Sequence, residues 1–235
     1  MFQGESFQPS NTPVEVAKYE ESSYEIGRVE LLKDLIPSGL GKSAIDIGCG
    51  PGFFSSVLSN KGWETTAIDT DFVNIESAKN HAYETHLGDA LSLLPDLPES
   101  QYDLVLCLEL IEHMPKPLGQ NLLKEIIKVL KPGGGLIIST PNKFSPEGLG
   151  GYYWGEKIRG HGKWTAWDST HIHIYSSSEI IQLLKTSGFV VDRITGYYYE
   201  GTLPVIGRWK LPLKKSTKFP LNQIGFNIVV ECHKK

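Results

Sequence analysis

The sequence predicts an α/β fold in which helices cover both faces of a doubly wound, mostly parallel sheet. Short apolar runs typical of buried strands alternate with helical patterns of about ten residues. One run, YDLVLCLEL, is almost wholly apolar after Asp103, as expected of a strand that is buried on both faces. The 235 residues are enough for one well-buried core and do not require two domains.

The predicted elements follow one another in a regular order. Strands are expected at residues 43–47, 63–69, 84–90, 102–110 and 135–142, with helices at 53–60, 72–82 and 121–130, and a helix at 176–189 precedes strands at 190–200 and 226–234. We therefore predict a single domain, 1–235, made of an N-terminal arm and helix (1–36), a ligand-binding core (37–141), a lid or insertion (142–175) and a C-terminal helix with strands (176–235). The N-terminal helix is expected around Tyr24–Leu35.

The charge and cysteine content limit the possible functions. A net charge of −4 gives no overall attraction to nucleic acid, so a nucleic-acid partner is not expected, although a local basic patch could suffice. Cys49, Cys107 and Cys232 show no CxxC spacing, which favours a reduced, cytoplasmic setting over disulfides or a zinc knuckle. No stretch approaches the roughly 20 apolar residues of a membrane span, and the N-terminus lacks the pattern of a secretory signal. We expect a soluble, cytoplasmic protein.

The strongest functional signal is the segment AIDIGCGPGFFS. Asp46, Gly48, Gly50 and Gly52 directly follow a strand and lead into a helix. Glycines let the backbone turn sharply and approach a ligand, and the helix start offers free N–H donors. Such a segment can be no more than a tight turn. Its place after the first strand of a parallel sheet, however, favours a nucleotide-like ligand at the carboxyl ends of the strands.

The glycine spacing indicates which ligand this is. A dinucleotide site has the pattern GxGxxG, whereas DIGCGPG has alternate glycines and an acid before the first one, which disfavours a nicotinamide-dependent oxidoreductase. The segment resembles motif I of the class I S-adenosylmethionine methyltransferases, which have a Rossmann-like fold, and the closest likeness is to the ubiquinone-biosynthesis O-methyltransferase group. The resemblance covers residues 40–140 firmly and 176–199 weakly. It implies S-adenosyl-L-methionine as cofactor and S-adenosyl-L-homocysteine as product.

The resemblance also identifies candidate cofactor-binding residues. Asp69, at the end of the second strand, could accept both ribose hydroxyls, or it could cap the next helix, a role that Asp71 can also fill. Asp89 matches the acid that faces the adenine amino group, with Ala90 supplying backbone, although an Asp here could also simply form a turn. The full predicted set is Asp46, Gly48, Cys49, Gly50, Gly52, Phe53, Asp69, Thr70, Asp89, Ala90 and Leu108.

A second constellation, ELIEHMPKP, follows the fourth strand. If the chain turns helical at Glu109, then Glu112 and His113 lie on the same helix face, and His171 and His173 come later in the chain. The set resembles the metal site of small-RNA 3′-terminal 2′-O-methyltransferases, and its first three residues resemble the cation site of the quinone O-methyltransferases. Metal-free relatives also carry Glu-His here. We predict no metal, and a catalytic role for His113, Glu112 and His171.

The predicted reaction is methyl transfer to an O, N or C acceptor, most simply a small molecule. Two alternatives remain open, an RNA 2′-O-methyltransferase with a divalent metal and a partner subunit that binds the cofactor without catalysis. Aromatic residues of the 142–175 segment could line an acceptor pocket or only attach the segment to the core: Tyr152, Tyr153, Trp154, Trp164 and Trp167. The basic run 208–218 is either a solvated face or a surface for a lipid-like or anionic partner.

Overall fold

The computed structural model describes residues 32–149, 157, 158, 160, 165, 166, 168–198 and 215–235. Within them the strands are β1 (Lys42–Ile47), β2 (Trp63–Asp69), β3 (Glu84–Leu87), β4 (Tyr102–Leu108), β5 (Leu130–Pro141), β6 (Phe189–Tyr197), β7 (Lys215–Ser216) and β8 (Asn227–Lys234). The helices are α1 (Phe53–Asn60), α2 (Phe72–Ala78), α3 (Ala90–Leu93), α4 (Lys116–Val129), α5 (Pro146–Leu149) and α6 (Ser177–Thr186).

The strands form one eight-stranded sheet in the order β3-β2-β1-β4-β5-β8-β6-β7. The five strands from β3 to β5 are parallel, whereas β8 lies antiparallel between β5 and β6. The chain first builds outward from β1 to β3 and then returns to the other side of β1 with β4. The predicted doubly wound, mostly parallel α/β fold is therefore confirmed, and its topological switch point lies between β1 and β4.

The central strand β4 is buried on both of its faces, as its apolar sequence predicts. Val105 and Cys107 belong to one hydrophobic cluster, and Leu104 and Leu106 belong to a second cluster. Because successive side chains of a strand point to opposite faces, the two clusters lie on opposite sides of the sheet. These two cores fix the position of the carboxyl ends of β1 and β4, where the predicted site residues lie.

Several boundaries differ from the predicted ones. Helix α4 begins at Lys116 rather than at residue 121, since proline is tolerated in the first turn, where Pro117 lies. Strand β5 begins at Leu130 rather than at residue 135, because Leu130 pairs with Tyr102 before an irregularity in the register. Ser176 caps α6 in a reciprocal capping box with Glu179, so the helix begins at Ser177.

Some predictions concern residues outside those that the structure describes. They include most of the N-terminal arm and helix (1–31), residues 208–214 of the basic run, and the aromatic residues Tyr152, Tyr153, Trp154, Trp164 and Trp167. Of the part of that run that is described, Lys215 forms an ion pair with Asp34 at 3.6 Å. Among the described helices, none has the length and apolar character needed to cross a lipid bilayer.

Candidate active site

The glycine-rich loop joins β1 to α1 at the switch point. Gly48, Gly50 and Gly52 all have positive φ angles of 71°, 54° and 91°. A Cβ atom on Gly52 would lie 2.8 Å from the Cα of Ala78, whereas a Cβ atom on Gly50 would meet no atom within 4 Å. Gly52 is therefore required by packing inside the protein, and Gly50 faces open space of the kind that a ligand needs.

Asp46, the acid of the motif, connects the two elements on either side of this loop. Asp46 is 2% exposed, and its Oδ2 accepts a hydrogen bond from the Ser55 hydroxyl at 2.7 Å. Ser55 itself is fully buried in the first turn of α1. The bond ties the end of β1 to the start of the helix. Sequence analysis missed Ser55, although a serine within the apolar stretch FFSSVL is a sign of a buried polar contact.

Asp69 lies at the end of β2, directly beside the loop. Its Oδ2 accepts a hydrogen bond from the Gly50 amide at 2.8 Å, and its Oδ1 accepts one from the Asp71 amide at 2.8 Å. The cap of α2 is Asp71, which accepts hydrogen bonds from the amides of Val73 and Asn74. Asp69 is therefore not needed as a helix cap. Each carboxylate oxygen can accept more than one hydrogen bond, so Asp69 retains capacity for a ribose hydroxyl.

The remaining predicted cofactor residues surround the same edge of the sheet. Asp89 caps α3 by accepting a hydrogen bond from the Leu91 amide at 2.9 Å, so the turn-forming role considered for it is present. Leu108 ends β4 and is 7% exposed. Thr70 is exposed after β2, Cys49 is buried in the loop, Phe53 begins α1 and Ala90 begins α3.

The edge of the sheet also has the mixed character that S-adenosylmethionine requires. Phe72, Val73 and Leu87 are 62%, 69% and 50% exposed. Phe72 and Val73 follow β2, which ends at Asp69, and Leu87 ends β3, two residues before Asp89. Exposed apolar side chains beside carboxylates suit an adenine ring joined to a ribose. Together with the open side of Gly50, these residues fit the cofactor that the motif implies.

Glu109 does not lie where the predicted helix would place it. Its φ angle is +52°, and the turn that follows is a 3-10 helix at Ile111–His113, so no helix begins at Glu109. The Glu109 carboxylate instead accepts hydrogen bonds from Ser139 Oγ and from Asn227 Nδ2, both at 2.6 Å. The prediction that Glu109 shares a helical face with Glu112 and His113 is wrong, because contacts to β5 and β8 hold it elsewhere.

The other three residues do come together. One possible ligand atom from each of Glu112, His113 and His171 lies within 4.8 Å of the other two. The rings of His113 and His171 are 4.7 Å apart, edge to face. The amides of Ile172 and His173 both donate to the Glu112 carbonyl, at 2.8 and 3.0 Å. A segment distant in sequence is thus held against the turn after β4.

This cluster is close to the glycine-rich loop. A Cβ atom on Gly48 would lie 3.1 Å from the side chain of Leu110, the residue before the 3-10 turn. Glu112 is fully buried and His171 is 9% exposed. Burial of Tyr175, followed by the nearby charge of Glu112, raises the pKa of the Tyr175 hydroxyl to about 12. A buried carboxylate and two histidines therefore lie together beside the glycine-rich loop.

The electrostatic surroundings of His113 favour its neutral form. Burial, followed by the neighbouring His171, lowers the pKa of His113 below its ordinary value, while Asp168 and Thr170 oppose that shift. Hydrogen bonds from Thr170 lower the pKa of Asp168, so this carboxylate is ionised at neutral pH. Sequence analysis missed Asp168 and Thr170, because nothing in a long segment without periodicity indicates which of its polar residues reach the site.

Known proteins resemble this chain both in sequence and in fold. A methyltransferase-domain family model matches residues 23–194. A ubiquinone biosynthesis O-methyltransferase of Rickettsia conorii is 31% identical over an alignment of 202 positions that covers 83% of this chain and 62% of that protein. The chain thus spans less than two thirds of the length of this relative.

Solved structures share the fold. A SAM-dependent methyltransferase from Archaeoglobus fulgidus aligns with a TM-score of 0.67 at 20% identity, over 92% of this chain and 96% of the other. A magnesium protoporphyrin IX methyltransferase from Synechocystis PCC 6803, solved with bound S-adenosylhomocysteine, aligns with a TM-score of 0.61 at 16% identity over 96% and 90% of the two chains. The motif, the fold and the family match together show that this chain belongs to the S-adenosylmethionine-dependent methyltransferases.

Proposed function

We propose that the protein transfers the methyl group of S-adenosylmethionine to a hydroxyl oxygen of a small-molecule acceptor, with His113 as general base. The observation that carries this proposal is the convergence of His113, Glu112 and His171 next to the glycine loop. The oxygen acceptor is favoured by the name of the Rickettsia relative. We also propose that the chain is one methyltransferase domain acting in the cytoplasm, in keeping with its three buried, free cysteines.

The cofactor supplies an activated methyl group on a positively charged sulfur, which leaves as a neutral thioether. The protein then has two tasks, to align the acceptor oxygen with the methyl carbon and to exclude water. A hydroxyl also has to lose its proton as the new bond to carbon forms. A neutral imidazole is suited to take that proton near neutral pH, and the lowered pKa of His113 keeps it neutral.

Glu112 and His171 act on His113 in this proposal. When His113 accepts the proton it becomes a cation, and the carboxylate of Glu112 within 4.8 Å stabilises that cation. His171 packs edge to face against the same ring and fixes its orientation. Its own Nδ1 lies 2.7 Å from the Thr165 carbonyl, which holds the second ring in place.

A second possibility is favoured by the same cluster. A carboxylate and two imidazoles at these distances could hold a divalent ion such as Mn²⁺ or Zn²⁺, which would bind the acceptor oxygen and lower its pKa. Glu109, a member of the set in the resemblance to RNA 2′-O-methyltransferases, is engaged by Ser139 and Asn227. Together with the net charge of −4, this weakens the RNA alternative.

The test is transfer of a labelled methyl group. The protein is incubated with methyl-labelled S-adenosylmethionine and a cell extract, and the extract is then separated into small-molecule, RNA and protein fractions. We expect label in the small-molecule fraction that resists treatment with base, as a methyl ether does. The His113→Ala variant should give no such label. Label only in RNA would favour the alternative substrate. Binding of S-adenosylhomocysteine without transfer to any fraction would favour the non-catalytic subunit.

A further inference from the structure

Two residues outside the proposed catalytic cluster form a hydrogen-bonded chain with His113. The Thr170 hydroxyl donates to Oδ1 of Asp168 at 2.6 Å, and the same hydroxyl oxygen lies 3.0 Å from Nδ1 of His113. Asp168 Oδ1 also accepts a hydrogen bond from the Thr170 amide at 2.8 Å. The chain therefore runs from a carboxylate through a hydroxyl to an imidazole.

The direction of these hydrogen bonds determines which imidazole nitrogen carries the proton. A hydroxyl group has one hydrogen, and that of Thr170 is used in the bond to Asp168. Toward Nδ1 of His113 the Thr170 oxygen can then only accept, so Nδ1 must carry a hydrogen. A neutral imidazole has only one N–H group, which leaves the lone pair on Nε2.

We propose that Asp168 and Thr170 are positioning residues that hold neutral His113 as the Nδ1–H tautomer and so make Nε2 the proton acceptor. This inference rests on the proposed function, in which His113 is the general base. The acceptor proton passes to Nε2, the Nδ1–H bond to Thr170 remains, and the negative charge of Asp168 stabilises the resulting imidazolium. A carboxylate orients a catalytic histidine in serine proteases by the same principle, although there the contact is direct.

Backbone hydrogen bonds hold the series Asp168, Thr170 and His113 in a fixed position. The His171 amide donates to the Asp168 carbonyl at 3.2 Å, and the Ile172 amide donates to the carbonyl of Glu112 at 2.8 Å. The segment that carries Asp168 and Thr170 is thereby attached to the 3-10 turn that carries His113. Since Thr170 lies within this short connection, the distance between its hydroxyl and the imidazole is set by the backbone.

The decisive experiment observes the tautomer itself and requires no acceptor. Histidine is labelled with ¹⁵N in the full-length protein saturated with S-adenosylhomocysteine, and the two ring nitrogens of His113 are assigned by loss of their signals in His113→Ala. We expect a protonated Nδ1 and an unprotonated Nε2 above the pKa of His113. In Thr170→Val, which keeps the shape but loses the hydroxyl, a substantial share of His113 should shift to the Nε2–H tautomer.

Two further variants separate this role from a purely structural one. Thr170→Ser keeps the hydroxyl and should restore the parent spectrum. Thr186→Val is the matched control, because Thr186 lies on α6 and its hydroxyl donates only to carbonyls of its own helix. A parent protein with Nε2–H, or a Thr170→Val variant with unchanged ring signals, would overturn the proposal.

Activity then connects the tautomer to the reaction. Turnover is measured with the labelled cofactor and the extract fraction described above. Thr170→Val should lower kcat about tenfold, because a general base contributes roughly 10²–10⁴-fold and this variant loses only part of that contribution. The KM for S-adenosylmethionine should stay unchanged. If His113→Ala keeps full turnover, the proposed function fails while the tautomer assignment stands. If His113→Ala is inactive and Thr170→Val is fully active, the positioning role alone fails.

Discussion

The backbone amide of Gly50 donates to the Asp69 carboxylate over 2.8 Å, which joins the glycine-rich loop to the end of the neighbouring strand β2. The two residues come from consecutive βα units of the sheet. The same carboxylate also accepts a hydrogen bond from the Asp71 amide at 2.8 Å and one from Asn74 Nδ2 at 3.3 Å. This arrangement joins the loop and the end of β2 into one continuous surface, which we propose as the cofactor-binding surface.

Replacing Asp69 by Ala should weaken binding of S-adenosylhomocysteine roughly tenfold to a hundredfold, since a hydrogen bond to a charged group contributes about 1.5–3 kcal/mol. Calorimetric titration measures the affinity. Asp71→Ala is the matched control, because Asp71 caps α2 and its loss should cost about 1 kcal/mol of stability while binding is kept. Equal affinity of Asp69→Ala and the parent would contradict the ribose assignment.

The open side of Gly50 allows a test of the ligand cradle. Gly50→Ala adds a methyl group where no protein atom lies within 4 Å, and it should lower the affinity for S-adenosylhomocysteine at least tenfold through contact with the ligand. Gly133→Ala is the control, since Gly133 has a φ angle of 72° and an equally open side far from the loop. Both variants should lose about 1 kcal/mol of stability from the left-handed backbone, as thermal unfolding can show. Similar affinities in the two variants would place the ligand elsewhere.

The pH dependence of turnover should reflect His113. Burial and His171 lower its pKa below 6.5, so turnover should rise with pH through a value under 6.5 and then level off. Because the pKa is lower in the folded state, the unfolded state binds more protons in that range, and His113 also destabilises the fold as the pH falls below 6.5. His233→Gln is the control, because His233 lies at the far end of β8 and its loss should leave the rise of turnover with pH unchanged. A midpoint of that rise above pH 6.5 in the parent protein would argue against His113 as the base.

Removal of divalent ions should leave the reaction unchanged if His113 acts as a base. We expect equal turnover of labelled cofactor before and after dialysis against a chelator. Glu112→Gln should then lower kcat about tenfold through weaker stabilisation of the imidazolium, with no dependence on added ions. Loss of turnover on chelation, restored by Mg²⁺, Mn²⁺ or Zn²⁺, would instead assign a cation to the cluster of Glu112, His113 and His171.

The fold and the position of the glycine-rich loop could be predicted because their signals are local. Apolar runs determine which segments are strands, and the glycines of the loop have positive φ angles that other residues avoid. Asp71 forms the cap for which its sequence position suits it, since a cap contacts amides only two or three residues away. The sequence alone was thus enough for the architecture and for the place of the loop within it.

The arrangement around His113 depended on contacts between segments far apart in the chain. Sequence spacing places Glu109 on one helical face with Glu112 and His113, but hydrogen bonds from Ser139 and Asn227 on neighbouring strands fix its carboxylate elsewhere. Thr170 reaches His113 only because the segment before α6 donates two amides to the carbonyl of Glu112. Helical spacing describes neighbours within one element, whereas the direction of a side chain after a strand is set by the other strands and loops around it. For that physical reason the sequence determined the fold and the place of the glycine-rich loop, and only the tertiary structure decided which residues meet in the cluster of Glu112, His113 and His171.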